Sequence, residues 1–288
     1  MNAAEAFLGA APEAAAFVGA SRWDGAHLAA GSELVAEEVP VALAYNGITH
    51  AVMLASPLDL EDFALGFTLS ERIVRQPREV YDIDVEQGCR GIVVSLRIAS
   101  GAMARLKEAR AARLGKTGCG LCGVESLDYF EREACLPQAS PDPGLRIDPA
   151  TLHRAMAAMA ARQQLHHATG AVHAAAWADL DGQLQCVRED VGRHNALDKL
   201  VGALAQAGAG PRDGFAVVTS RASFEMVQKA ARAGFGLLAA ISAPTALAVR
   251  MADEAGLTLA GFVRAGRHVV YSHPQRLLPH LNNTKGPA

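Results

Sequence analysis

The chain has 288 residues, half of them hydrophobic, which is enough for about two domains with sizeable cores. Its formal net charge of −3 argues against a protein that coats nucleic acid. Five cysteines without a basic and then apolar leader argue against secretion, and no apolar run reaches membrane-spanning length. We therefore expect a cytoplasmic protein with reduced thiols that binds neither nucleic acid nor membrane.

The first part of the chain predicts a leader followed by a β-rich domain. Residues 1–30 are rich in Ala and Gly without a persistent apolar stripe, which predicts a mobile leader. Two strands are predicted on either side of Asn46-Gly47, a common hairpin dipeptide. The stretch from Ser56 to Asp59 predicts an N-cap and first turn of a helix to about Arg72. Further elements are predicted at 80–85 and 91–98 (strands) and at 102–114 (helix). The N-terminal domain is predicted over residues 31–135.

A glycine-rich loop ends that domain. Between residues 115 and 124, Cys119 and Cys122 stand among four glycines. Glycine permits positive φ, so the backbone can turn both thiols to one side. Lys116 and free backbone N–H groups would favour the thiolate form of Cys119. This pattern indicates a sulfur site, which is either catalytic or metal-binding. The remaining thiols lack a partner at ligand spacing and are predicted to be isolated: Cys89, Cys135 and Cys186.

A Pro-rich connector between Cys135 and Pro149 predicts a domain boundary, and residues 148–288 form the predicted C-terminal domain. Asp148-Pro149 opens a helix, two strands flank Asp181-Gly182, and strands then alternate with helices. The order predicts an α/β domain with a largely parallel sheet and helices on both faces. The predicted strands are 171–177, 183–189, 215–219, 235–241, 257–263 and 267–271, and the helices are 148–164, 193–206, 223–233 and 245–255.

Three strand-to-helix loops of this domain carry polar side chains. In such sheets, ligands bind beyond the carboxyl ends of the strands, where helix N-termini offer free N–H groups. Each loop alone is also compatible with ordinary capping and solvated charge. On one sheet edge, they would form an anion pocket. The loops are 219–223, with Ser220 and Arg221; 241–245; and 188–195, with His194.

A last candidate site is the predicted hairpin turn Phe262, Val263, Arg264, Ala265, Gly266 and Arg267. Phe262 offers a stacking face, and the two arginines can bind phosphates or a guanine edge in bidentate fashion. The alternative is an exposed hairpin with its charges in water. His153, His166 and His167 are interpreted as surface residues rather than metal ligands. Met156 and Met159 share a helical face with Leu152 and are predicted core residues.

Five stretches occur in one order along the chain: 118–123, 169–176, 188–199, 220–229 and 242–245. Together they resemble the FdhD/NarQ family, the formate dehydrogenase accessory sulfurtransferases, over about residues 37–271. The resemblance implies a sulfur carrier that takes sulfur from a cysteine desulfurase. It passes this sulfur to the bis-molybdopterin guanine dinucleotide form of the molybdenum cofactor, a bound substrate, before the cofactor enters formate dehydrogenase. It also implies a homodimer and a three-layer α/β/α C-terminal domain, similar to cytidine deaminases, that binds the cofactor.

The resemblance assigns roles to particular residues. Cys119 matches the persulfide-bearing cysteine and Cys122 the second thiol of the pair. The stretch 262–267 matches the segment assigned to the guanine dinucleotide cofactor. The chain departs from the common pattern at Lys116, where Arg is frequent, and at Ala171, where Gly is frequent. Deaminase chemistry does not carry over, because His173 is not part of a His-x-Glu motif, and no resident metal is expected.

Two rival interpretations remain open. In the first, the cysteine pair is half of a structural zinc site completed across a dimer, within a zinc- or nucleotide-binding accessory module that transfers no sulfur. Zinc needs four ligands, and the chain contains no second thiol pair at this spacing. In the second, the chain is a dithiol oxidoreductase. That activity would suit a pair placed at a helix start after a strand, which the sequence does not predict here.

Overall fold

The computed structural model describes residues 14–88, 91–111 and 145–278. It begins with a two-stranded antiparallel ribbon, β1 (Ala15–Trp23) and β2 (Leu28–Ala36). The prediction of a mobile leader through residue 30 is therefore wrong from residue 15 onward. The base of the ribbon packs on Leu165 and Val172. Most of its length is exposed on both faces, so it lacks the apolar and polar alternation by which strands are predicted.

The N-terminal domain is a four-stranded sheet covered by two helices. The strands are β3 (Val39–Tyr45), β4 (Ile48–Ala55), β5 (Val80–Gly88) and β6 (Gly91–Ile98), in the order β4-β3-β6-β5. The helices are α1 (Leu60–Ser70) and α2 (Ser100–Ala111). Asn46 and Gly47 both have positive φ at the β3–β4 turn, which confirms the predicted hairpin.

The predicted start of the first helix is wrong by one turn. Helix α1 begins at Leu60, and its N-cap residue is Asp59 in the left-handed region. Ser56 instead bonds the distant part of the chain, because its hydroxyl accepts a hydrogen bond from the Val191 N–H at 3.1 Å. A local capping signal was thus overridden by a tertiary contact.

The C-terminal domain is built on a six-stranded sheet of order β12-β11-β10-β9-β7-β8. Strands β9, β10 and β11 are parallel, whereas β7 and β12 pair antiparallel with their neighbours. The predicted largely parallel sheet is therefore mixed, since two of its connections are turns too short for a crossover. The elements are α3 (Pro149–Arg162), α4 (Gln164–Thr169), β7 (His173–Asp179), β8 (Leu184–Asp190), α5 (Arg193–Ala207), β9 (Gly214–Val218), α6 (Phe224–Ala233), β10 (Leu237–Ala240), α7 (Ala246–Glu254), β11 (Thr258–Arg264) and β12 (Arg267–Ser272).

Helices cover both faces of this sheet, so the domain has three layers. Helix α3 packs on one face, where Leu152, Met156 and Met159 are buried as predicted. Helices α5, α6 and α7 pack on the other face. The side chain of Asp148 accepts a hydrogen bond from the Ala150 N–H, which confirms the predicted start of α3. In the described parts of the chain, no helix is long and apolar enough to cross a membrane.

The N-terminal domain docks tightly on the C-terminal domain through helices α1 and α5. A Cβ on Gly66 would lie 1.7 Å from the Asp198 carbonyl oxygen, and one on Gly202 would lie 1.9 Å from that of Asp62. Beside this crossing, the buried Lys229 Nζ lies 3.0 Å from the Asp198 carboxylate and 2.8 Å from that of Glu71. The helix backbones therefore touch, and a buried ion-pair cluster spans the junction.

Candidate functional site

The carboxyl ends of four strands meet at one edge of the six-stranded sheet. Strands β8, β9, β10 and β11 all run in one direction, as their pairing with β7 and with each other shows. The three polar loops after β8, β9 and β10, and the turn between β11 and β12, therefore lie along the same edge. The register confirms the expectation that these loops cluster.

At one end of this edge, the N-termini of α5 and α6 come together. His194 Nε2 lies 2.8 Å from Glu225 Oε2, which joins the first turns of the two helices. Neither N-cap residue, Gly192 of α5 or Ser223 of α6, caps its helix with a side-chain hydrogen bond. Arg193 Nε and Ser223 Oγ are buried here and have no hydrogen-bond partner within the described residues. Unpaired donors beside helix N-termini suit an anion.

The close contact with His194 lowers the pKa of Glu225, so this carboxylate stays ionised at neutral pH. Burial lowers the pKa of nearby His173, and the charge of Arg193 lowers it further, which keeps His173 neutral. The sequence did not indicate Glu225 as a site residue, because a glutamate in the first turn of a helix commonly serves only to interact with the helix dipole.

The loops after β9 and β10 are bonded to each other. The Thr245 N–H donates to the Ala222 carbonyl at 3.1 Å, and the Ala222 N–H donates to the Ala243 carbonyl at 3.3 Å. Ser220 is buried, and its hydroxyl donates to the Arg221 carbonyl at 2.9 Å. Arg221 is exposed. Of these two predicted site residues, Arg221 is thus accessible to a ligand, whereas the Ser220 hydroxyl is engaged within its own loop.

At the other end of the edge, a bulge reshapes the β11–β12 hairpin. Gly261 pairs with Val269 and Arg264 with Arg267, so Phe262 and Val263 both stand opposite His268. Phe262 has a φ of 51° and is 41% exposed, while Val263 is fully buried. Bulges re-aim side chains in this way, and positive φ in an aromatic residue is uncommon.

The bulge opens a surface cavity of ≈ 380 Å³ that is lined by Phe262, Arg264, Arg267, His268 and Val269. The Phe262 N–H donates to the Ser242 carbonyl at 3.1 Å, which ties the cavity to the loop after β10. The cavity therefore combines an aromatic face with two guanidinium groups. Val263 points into the core instead, and Ala265 and Gly266 form the exposed turn.

The predicted sulfur site, with Cys119, Cys122 and Lys116, lies outside the described residues. Cys186, on β8, is described as a free and half-buried thiol whose pKa is raised by burial. That environment disfavours the reactive thiolate. Within the described ranges, no three His, Cys, Asp or Glu side chains are grouped as metal ligands.

The fold and the site define a mixed α/β protein with a docked N-terminal sheet domain and an anion-compatible edge on its larger sheet. The chain belongs to the FdhD/NarQ family, whose model matches residues 36–278. This confirms the resemblance seen in the five sequence stretches.

Named relatives agree with the family assignment. Proteins named Sulfur carrier protein FdhD from Cupriavidus necator and Bordetella petrii are each 58% identical to this chain, over 258 and 247 residues. These alignments cover 89% and 85% of this chain and 88% and 87% of the relatives. A crystal structure from Desulfotalea psychrophila, described as a formate dehydrogenase accessory protein, has a TM-score of 0.71 and 23% identity. The match covers 92% of this chain and 99% of the crystallised chain. At 23% identity, the likeness supports the fold alone.

Proposed function

We propose that the protein is a sulfurtransferase that carries sulfur as a persulfide on Cys119. It takes the sulfur from a cysteine desulfurase and passes it to bis-molybdopterin guanine dinucleotide, the substrate, before that cofactor enters formate dehydrogenase. The observation that carries the proposal is the cavity of Phe262, Arg264 and Arg267, because an aromatic face beside two guanidinium groups suits a guanine nucleotide. Family membership and the relatives' name support the sulfur-carrying role.

The proposed loading step is a thiol exchange. The Cys119 thiolate attacks the terminal sulfur of the desulfurase persulfide, the S–S bond of that persulfide breaks, and the desulfurase cysteine leaves as a thiolate. The step involves no net oxidation or reduction. Cys122 can afterwards attack the inner sulfur of Cys119, which forms a disulfide and releases sulfide. A cellular dithiol must then reduce that disulfide before the next cycle.

The cellular setting forms part of the proposal. The reduced thiol pair suits the cytoplasm.

Three large apolar side chains of the ribbon are exposed. Phe17, Trp23 and Leu28 are 55%, 64% and 68% exposed, and an isolated two-stranded ribbon is marginally stable in water. These exposed side chains support the proposed homodimer. The three-layer C-terminal domain supports the proposed likeness to cytidine deaminases, without their zinc site.

Incubation of the purified protein with a cysteine desulfurase and cysteine is expected to add one sulfur atom, located on Cys119. Intact-mass measurement followed by peptide mapping of the alkylated protein checks this expectation. Desulfurase that lacks its own catalytic cysteine is the matched control and should load nothing. A protein that retains stoichiometric zinc on the cysteine pair and takes up no sulfane sulfur would contradict the proposal and favour the zinc-binding alternative.

Replacement of either cavity arginine should weaken guanine nucleotide binding. Each charge-assisted hydrogen bond contributes about 1.5–3 kcal/mol. Arg264→Ala and Arg267→Ala are therefore expected to reduce GDP affinity by roughly tenfold or more, as measured by titration calorimetry. The control is Arg212→Ala, which removes an exposed arginine just before β9, at the opposite edge of the sheet. Equal affinities of all three variants and the wild type would exclude the cavity as the nucleotide site.

A further inference from the structure

A pair of histidines connects the tip of the β11–β12 hairpin to helix α3. His153 Nε2, on α3, lies 2.9 Å from His268 Nδ1, on β12. The ring centroids are 5.1 Å apart, and the ring planes meet at 71°. The two rings share one hydrogen bond, in which one nitrogen donates and the other accepts. The sequence gives no sign of this pair, since its members are separated by 115 residues.

His268 belongs to the cavity wall as well as to this pair. It lies opposite the bulge at Phe262 and lines the cavity beside Arg264 and Arg267. Among the described residues, we find no other side-chain hydrogen bond between residues 264–268 and a helix. The pairing of β11 with β12, the burial of Val263 and the bond from Phe262 to the Ser242 carbonyl hold the base of the hairpin. Arg267 immediately precedes His268 in the chain. Its placement therefore depends on helix α3 through the His268 ring.

The charged side chains that line the cavity beside the pair are cationic. Burial lowers the pKa of His268, and the neighbouring His153 lowers it further. His268 is therefore neutral at neutral pH in the free protein. The hairpin contributes Arg264 and Arg267. On α3, the nearest charged group along the chain is Arg154, which donates to the Asp181 carbonyl at 2.6 Å. An anion in the cavity would thus be the group that favours protonation of the pair.

We propose that His153 is a positioning residue of the cavity: through His268 it fixes the hairpin tip, and the pair takes up a proton when a phosphate group binds. This inference rests on the nucleotide site proposed above. When the pair takes up one proton, the two rings still share a hydrogen bond. The contact between His153 and His268 therefore persists while the pair gains a positive charge. By linkage, a phosphate that favours the protonated pair binds more tightly to it. Affinity therefore rises as the pH falls through the titration of the pair.

Two variants separate the contact from the charge. His153→Gln keeps an amide that can donate to His268 Nδ1 but cannot take up a proton. His153→Phe keeps a ring and removes both the hydrogen bond and the proton site. GDP binding is measured by calorimetry from about pH 8 to about pH 5.5. The protonation of GDP itself affects the wild type and every variant equally. It therefore cancels when the affinity of the wild type is divided by that of a variant.

Relative to His153→Gln, the wild-type affinity is expected to rise roughly threefold to tenfold as the pH falls over this range. His153→Phe should bind roughly threefold to tenfold more weakly than wild type even at about pH 8, because the hairpin tip is no longer held. In the ligand-free protein, His153→Phe should raise the pKa of His268, which NMR of the imidazole reports without any nucleotide.

The matched control is His167→Gln, an exposed histidine on α4 whose ring contacts the Ala160 carbonyl at 2.8 Å. It should reproduce the wild-type pH profile, and circular dichroism confirms the fold of every variant. If the wild type binds GDP and His153→Phe binds it with the same affinity at every pH, the positioning role is wrong while the proposed function stands. If the wild type binds no GDP at any pH, the proposed nucleotide site itself is wrong.

Discussion

The Cys119→Ala variant is expected to accept no sulfur from a cysteine desulfurase and to leave formate dehydrogenase inactive in cells that depend on it. Sulfur transfer requires a thiolate nucleophile, and an alanine side chain offers none. The expected loss is therefore complete rather than partial. Persulfide content is measured by intact mass, and formate dehydrogenase activity is measured in a strain whose own sulfur carrier has been deleted.

Two other cysteines provide controls for this experiment. Cys186→Ser should load as well as the wild type, because burial raises the pKa of this half-buried thiol and keeps it protonated. Cys122→Ala should still form the persulfide on Cys119 but release its sulfur more slowly. Normal maturation of formate dehydrogenase by Cys119→Ala would show that another residue carries the sulfur.

The Gly202→Ala variant is expected to lose about 3 kcal/mol or more of unfolding free energy. Its new Cβ would lie 1.9 Å from the Asp62 carbonyl oxygen, which is backbone and cannot rotate away. Helices α1 and α5 must then move apart. Their separation also weakens the buried contacts of Lys229 with Asp198 and Glu71, and breaking buried ion pairs is costly. Urea unfolding followed by circular dichroism measures the loss.

Gly66→Ala should behave similarly, since its Cβ would lie 1.7 Å from the Asp198 carbonyl oxygen. Gly101→Ala is the matched control. It is also a helical glycine, but the nearest atom to its Cβ would be Arg105 Nη1 at 3.8 Å. This substitution is expected to be neutral or to stabilise by up to about 1 kcal/mol, because alanine is the better helix former. If Gly202→Ala unfolds at the same urea concentration as the wild type, the close crossing of the two helices is wrong.

Local patterns in the sequence were sufficient for most elements of the described chain. The Asn46-Gly47 turn, the Asp148 cap and the strand and helix alternation after β8 all depend on residues within a few positions of one another. The same patterns placed the three polar loops, and the hairpin turn with Arg264 and Arg267, after strands that run in one direction. The candidate edge of the sheet was therefore predictable, and so was the family.

Features that depend on distant residues were not predictable. The ribbon at Ala15–Ala36 was missed because it is exposed on both faces and carries no alternation. Ser56 was assigned as a helix cap, whereas the tertiary structure uses it to bond Val191. The bulge at Phe262 depends on the register of two strands.

From β3 onward, the sequence by itself determined the order of the strands and helices except α4. It also determined the cysteine pair that defines the proposed chemistry and the family to which the chain belongs. Only the tertiary structure decided the mixed strand order, the contact of Gly66 with α5 and the pairing of His153 with His268. The physical reason is that turns, caps and periodicity are encoded within one element. Close helix crossings and buried side-chain pairs instead depend on packing between residues about a hundred positions apart.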